Sequence, residues 1–499
     1  MQISRLESAI AALKQLAGEV SLALPLEGLR EQIRRFSQPM FSWPPLRIGN
    51  KVARTPVVQG GMGVGISLSG LASAVANAGG VGVIAANAIG LLEKDYFRDG
   101  RAANLRALRR EIRSARAKSD GIIGVNIMVA VNDFHELLDV AIEERVDVVL
   151  MGAGLPVKNI PVERMREAGV SPVPIVSSAR AVEMIFRMWK KLYGDVPDAV
   201  VCEGPEAGGH LGFSEEQIDD PEFALEKLVP PIALALQPFE QEFGRRIPVI
   251  AAGGIYDGAD VFNVLELGAS GAQMGTRFVA TEECDADEKF KQAYVDCTEE
   301  QIGIIKSPVG MPGRAIRNEF ITRAEQGESP DFRCAWQCLA SCKADAARYC
   351  ISLALNNARK GRIDRGFVFV GSNAYRVKEI VPVSSLVTEL ADGFAARARE
   401  ALSSRIEAVA ARIRDARDSG RAQVQRRYDE LVAGSPSSAR RSGRGFPARG
   451  DPAVRKTSHE PPGKVIYYGY DRFDLIGRYQ HVPGGAAAAS ADVRARERH

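Results

Sequence analysis

At 499 residues, 45% hydrophobic and 25% charged, the chain has the composition of globular protein, with length for one large core and smaller additions. No apolar stretch approaches the ~20 residues of a membrane span, and Met1 to Leu26 mixes Arg5, Glu7, Lys14 and Glu19 into its apolar positions, so neither a spanning helix nor a secretory signal is expected and the location expected is cytoplasmic. Net charge is uneven: residues 391–499 hold 21 Lys/Arg against 13 Asp/Glu, net +8, leaving −5 on residues 1–390, a mildly acidic body that argues against a nucleic-acid-binding core.

Residues 1–45 carry two amphipathic patterns, Leu6 to Leu16 and Leu26 to Phe36, closed by Pro39 and Pro44-Pro45, and are expected to form a helical cap. From Thr55 apolar runs alternate with helical patterns. Pro56 to Gln59 is the first strand, followed by a helix from Ser67 to Ala78; Val81 to Ile84 is the second, followed by a helix from Asn104 to Lys118. Gly121 to Asn126 is the third, with a helix from Asp133 to Glu144, and Asp147 to Met151, Val173 to Val176 and Ala199 to Cys202 are the fourth to sixth. Ile247 to Ala252 and Gly271 to Met274 complete a set of eight. Short apolar runs that end in glycine read as buried parallel strands, and eight in about 230 residues match the period of a (β/α)8 barrel. An open doubly wound sheet is the rival; no Gly-x-Gly-x-x-Gly turn follows the first strand.

The expected organisation is therefore an α/β chain. A (β/α)8 TIM barrel fills residues 46–300, and a smaller cysteine-containing subdomain, residues 301–390, packs at its mouth. An Ala/Arg-rich helix follows over 391–433, then a low-complexity tail, 434–499, expected to be disordered. Within the subdomain the prolines and glycines of Lys306 to Gly313 predict a loop, and Cys334 to Ala358 reads as helical. Tyr467, Tyr468, Tyr470, Phe473 and Tyr479 form a local aromatic island without a functional reading.

Barrel chemistry sits at the carboxyl ends of the strands, and a phosphate site is frequently built from the loops after strands seven and eight. Gly253-Gly254 after the seventh and Gln273-Met274-Gly275-Thr276 after the eighth leave backbone N–H groups open to a ligand, with the Thr276 hydroxyl as a further donor. After the first strand, Gly60-Gly61-Met62 can lie flat beneath a planar ring or form only a tight turn. Asn126 ends the third strand and can both donate and accept. The loop after the sixth strand, Glu203-Gly204-Pro205-Glu206-Ala207-Gly208-Gly209-His210, carries one of only five histidines toward the same mouth. His210 is either a titratable catalytic group or a solvent-facing loop residue, and Glu203 and Glu206 are either site carboxylates or caps for the following helix. A phosphate cradle, flat glycine floor, amide and histidine at one mouth match the needs of flavin mononucleotide.

The turn at Gln59 to Gly63, Gly124-Val125-Asn126, Glu203 to His210, Ala251 to Ile255 and Gln273 to Phe278 resemble, in order, the motifs of the nitronate monooxygenases, formerly 2-nitropropane dioxygenases, a family that includes the flavin-dependent enoyl-acyl-carrier-protein reductases. The resemblance covers roughly residues 45–390. It implies an FMN-containing monooxygenase oxidising alkyl nitronates with O₂, with cofactor contacts from Asn126, Glu203, Gly208, Gly253, Gly254 and Gln273 to Thr276, and His210 as the catalytic histidine. Many nitronate oxidisers have Gln where this chain has Glu203, and a glutamate there resembles the reductase branch. The alternative reading is thus an NAD(P)H-dependent flavin reductase acting on enoyl thioesters or quinones. A third is a flavin-free barrel scaffold. A small-molecule substrate, no specific nucleic acid, no membrane and a homodimer are the expected partnerships.

Cys334, Cys338, Cys342 and Cys350 crowd four of the chain's seven cysteines into seventeen residues. The choice is between a zinc or iron–sulfur site and buried thiols. On an unbroken helix the first three would spread over ~12 Å at 1.5 Å per residue, too far for one zinc.

Overall fold

The computed structural model describes residues 41–328 and 332–433. The helical cap expected over 1–45 falls almost wholly, and the tail over 434–499 with its aromatic island falls entirely, outside the described residues. The chain divides into two compact units, Met1–Ser419 and Gly420–His499.

Eight parallel strands close into a barrel: β1 (Val57–Gln59), β2 (Val81–Ala85), β3 (Ile122–Met128), β4 (Val148–Gly152), β5 (Ser171–Val176), β6 (Val200–Glu203), β7 (Val249–Ala252) and β8 (Gly271–Met274). Each pairs with its sequence neighbour, and β8 closes on β1 through Ala272 beside Val57, Gln273 beside Val58 and Met274 beside Gln59. Side-chain alternation sorts each strand between two apolar layers. Val58, Val83, Leu150, Val173 and Val201 point inward, while Val57, Ile84, Val125, Val149 and Val200 pack under the surrounding helices. The inner layer continues into an antiparallel hairpin, Leu46–Ile48 with Lys51–Ala53, whose Leu46, Ile48 and Ala53 are buried among the inward valines. That hairpin stoppers the amino end of the barrel, so chemistry is left to the carboxyl end.

Helices follow the strands. Among them Ser69–Asn77, Gly100–Lys118 and Phe134–Glu143 lie where the apolar periodicity predicts, and Leu225–Phe243 forms although Pro230, Pro231 and Pro238 stand inside it. Asp285, from beyond β8, caps the first of these: its carboxylate accepts from the N–H groups of Leu68, Gly70 and Leu71 at 2.8, 3.1 and 3.1 Å.

After the barrel, Ile302–Lys306 and Pro312–Ile316 form an antiparallel pair, so the expected loop is confined to the residues between them and Pro312 and Gly313 belong to a strand. A third strand of only two residues, Gly209–His210, joins that pair from the loop after β6.

The helical reading of Cys334 to Ala358 is corrected. Only Ile351–Arg359 is α-helical, and the cysteine-bearing stretch before it holds no more than a short 3-10 turn, Ala344–Ala346. Leu339 is buried at 3% exposure, and its neighbours are tied to the loop after β3, with Asn132 N–H donating to Cys338 O and Ala340 N–H to Ala130 O, each at 3.0 Å. Anchoring Leu339 in the core spends the flanking backbone groups on another segment, and a helix there would need those same groups. The expected Ala/Arg-rich helix is present within Val383–Ala433. Among the described residues no helix is long and apolar enough to cross a membrane.

Candidate functional site

A cavity of about 290 Å³ opens at the carboxyl ends of the strands. Every site residue singled out from the barrel motifs lines it: Gly60, Gly61, Met62, Asn126, Glu203, Gly208, His210, Gly253, Gly254, Gln273, Met274, Gly275 and Thr276.

The glycines turn out to have two kinds of work. Gly253 and Gly254 have φ of +94° and +76°, a region that disfavours side chains, and an added Cβ would lie 2.9 Å from the Gly204 carbonyl oxygen or 2.4 Å from Glu206 Oε2. Their small size seats the β7 loop against the β6 loop; a side chain at Gly253 would strike that turn before it filled any cradle. Gly61 packs on Asn126, where a Cβ would come within 2.4 Å of the Asn126 Cβ, and Gly208 packs on the Val370–Gly371 backbone. Gly275 differs, because the nearest atom to its added Cβ is Met62 Sδ at 3.8 Å. Its open side faces the cavity.

Three polar groups define the wall chemically. Gln273 Oε1 is buried without a hydrogen-bond partner, an acceptor waiting for a donor. Thr276 Oγ1 accepts from Gly371 N–H at 3.0 Å. Glu203 is half-buried at the end of β6, and loss of hydration pushes its carboxyl up to about 7. Glu206, in contrast, is a clamp: Ser372 donates to its Oε2 through Oγ at 2.8 Å and to its carbonyl through N–H at 3.1 Å.

His210 is not a solvent-facing loop residue. Its two-residue strand holds it opposite Gly313, its Nε2 lies 2.8 Å from Ser307 Oγ, and its ring meets Phe369 edge-on at 5.2 Å between centroids. Burial lowers its pKa to about 4, so the imidazole is neutral near pH 7. Ser307, Phe369, Val370, Gly371 and Tyr294 belong to this site and escape a reading confined to the barrel. For Phe369, Val370 and Gly371 the sequence signal is the apolar run Gly366 to Ser372, which carries no chemistry until folded over the mouth.

The sequence profile described as nitronate monooxygenase matches residues 47–393. The chain belongs to the nitronate monooxygenase family. Two curated relatives are similar to it. A "(3aS,4S,5R,7aS)-5-hydroxy-7a-methyl-1-oxo-octahydro-1H-indene-4-carboxyl-CoA dehydrogenase" of Mycobacterium tuberculosis is 31% identical over 272 residues, 54% of this chain and 66% of that protein, just under two thirds of its length. A probable nitronate monooxygenase of Staphylococcus aureus is 29% identical over 304 residues, 56% of this chain and 80% of that one. Among solved structures, FabK from Thermotoga maritima superposes with a TM-score of 0.55 at 29% identity, covering 70% of this chain and 96% of FabK. Membership of the nitronate monooxygenase family makes this protein an oxidoreductase and supports a flavin as its cofactor.

Proposed function

We propose that the protein is an FMN-dependent oxidoreductase that oxidises alkyl nitronates with O₂. The observation that carries this reading is His210: half-buried, neutral, held by Ser307 and lining the same cavity as the open backbone of Gly275.

The residues present fit a flavin on two counts. Gln273 Oε1 is buried without a donor, and a hydroxyl or ring N–H of the cofactor would supply one. Gly275 leaves the cavity open where any other residue would project into it. Gly253, Gly254 and Gln273 to Thr276 would hold the phosphate, Gly60 to Met62 would underlie the ring, and Asn126 and Glu203 would meet its polar edge. When bound, FMN supplies reversible electron transfer, which no side chain here provides.

The chain's own residues then orient and select substrate. With its pKa near 4, His210 is too weak a base to take a proton from a neutral nitroalkane efficiently at pH 7, but a neutral imidazole can donate a hydrogen bond to an oxygen of the preformed anion. Its partner Ser307 fixes the ring position. Glu203, when protonated, lets an anion approach; when ionised, it repels one.

A second reading, an NAD(P)H-dependent reductase of enoyl thioesters or quinones, is favoured by a glutamate at position 203 and by the coenzyme A thioester in the name of the Mycobacterium relative. Anaerobic stopped-flow mixing of flavin-loaded protein separates the two. Bleaching of the flavin by an alkyl nitronate but not by NADH or NADPH is the expected result; rapid bleaching by NADH or NADPH alone would replace the first reading with the second.

A further inference from the structure

Outside the large cavity a second, smaller one lies in the irregular stretch before helix Ile351–Arg359, and Cys334, Cys338, Cys342 and Cys350 all line it. From this convergence of four thiols on one cavity we infer that the segment binds an iron–sulfur cluster.

The bland explanation is that these cysteines act as small hydrophobes. Burial argues otherwise. The chain's other three, Cys202, Cys284 and Cys297, behave that way and are buried at 0–4% exposure in the hydrophobic core. The four in this segment are only half-buried and line one cavity together. Apolar packing gives no reason for four thiols to share one wall.

The geometric objection raised by the sequence also disappears, because the first three do not lie on a helix. They sit on a loop pinned at Leu339. Among the described residues no three Cys, His, Asp or Glu side chains meet closely enough to hold a single metal ion. A mononuclear zinc would draw its thiolates within ~4.6 Å of one another, twice the Zn–S distance. A [4Fe–4S] cluster is held by four thiolates, each on a different iron, which therefore stand further apart around a larger body. Four thiols lining one cavity suit the second case.

Cys350 is the N-cap residue of the nine-residue helix Ile351–Arg359, so the fourth thiol stands where the irregular stretch meets a regular element. Ligation forms four Fe–S(Cys) bonds and displaces one proton from each thiol, so the site fills more readily as pH rises. Leu339, Ile351 and Ser352 line both cavities, which places a cluster one layer of side chains from the larger site.

The test is purification of the full chain under argon from iron-supplemented cells, followed by reconstitution with sulfide and equal amounts of ferrous and ferric iron, which supply the mixed-valence core without a further oxidant. About four iron and four acid-labile sulfide per chain are expected, with a broad visible absorption that bleaches on dithionite and an electron paramagnetic resonance signal in the reduced protein. Cys342→Ser and Cys334→Ser, checked by circular dichroism and by flavin content, should each lose most of that iron. Iron below about 0.2 equivalents in the unaltered protein, stoichiometric zinc in its place, or iron retained in both folded variants would overturn the inference. Flavin content is measured separately, so failure here is distinct from failure of the proposed activity.

Discussion

His210 stays neutral across the pH range in which Glu203 ionises, so the pH dependence of the site belongs to the carboxyl. The sign follows from its raised pKa: protonated and neutral below about 7, Glu203 becomes an anion above it. Turnover of a nitronate should therefore fall about tenfold between pH 6 and pH 8, the change in the protonated fraction of a group titrating near 7. Glu203→Gln keeps a neutral polar group of the same size and should flatten the profile; a fall that persists in this variant would assign the titration elsewhere. His210→Ala should retain flavin and lower kcat by about 10²-fold, the usual contribution of a positioned proton-handling or hydrogen-bonding group. Unchanged kcat/KM in that variant would remove His210 from the site's chemistry. Gly275→Val is the cleanest probe of the cofactor site. Its φ of −107° is open to any residue, and the added side chain has room in the empty protein, so the fold should survive while flavin retention drops at least tenfold, read by absorbance after desalting.

At the scale of the element, Asp285 shows how the region beyond β8 secures the barrel's first helix. Replacing it with Ala leaves three backbone N–H groups at a partly buried helix start without their acceptor, and should cost about 2 kcal/mol, measured as a lowered urea midpoint. An unshifted midpoint would mean that water satisfies those groups. The barrel strands were legible in the sequence because parallel strands buried on both faces read as continuous apolar runs, and those runs stop at glycine. Leu225–Phe243 was not, because Pro230, Pro231 and Pro238 contradict every local helix rule and are tolerated only through packing of Leu228, Val229, Ile232 and Leu236. The reverse error occurred at Cys334 to Cys350. Its spacing looks helical, but the burial of Leu339 and its pairing with the loop after β3 decide the backbone. His210 was readable as a site residue from its loop, yet Ser307 and Phe369 were not, since a two-residue strand whose partner lies about a hundred positions away leaves no local trace.

At the scale of the molecule, the eight strands that close the barrel all lie within residues 57–274. We propose the boundary at residue 433: a chain ending there should remain folded and flavin-loaded, and an insoluble or colourless product would place the boundary further along. The pairing of β8 with β1 carries a consequence for biogenesis. Gln59 waits for Met274, a partner about two hundred residues later, so on a ribosome working at ~5–20 residues per second the β1 edge stays unpaired for roughly 10–40 s. Throughout that interval a row of free N–H and C=O groups on an apolar strand is exposed to other nascent chains. The cavity is later still, because Phe369 and Gly371 must emerge before His210 is enclosed. Enclosure of the site thus follows synthesis of the whole barrel, and the half-made barrel is the species most exposed to aggregation.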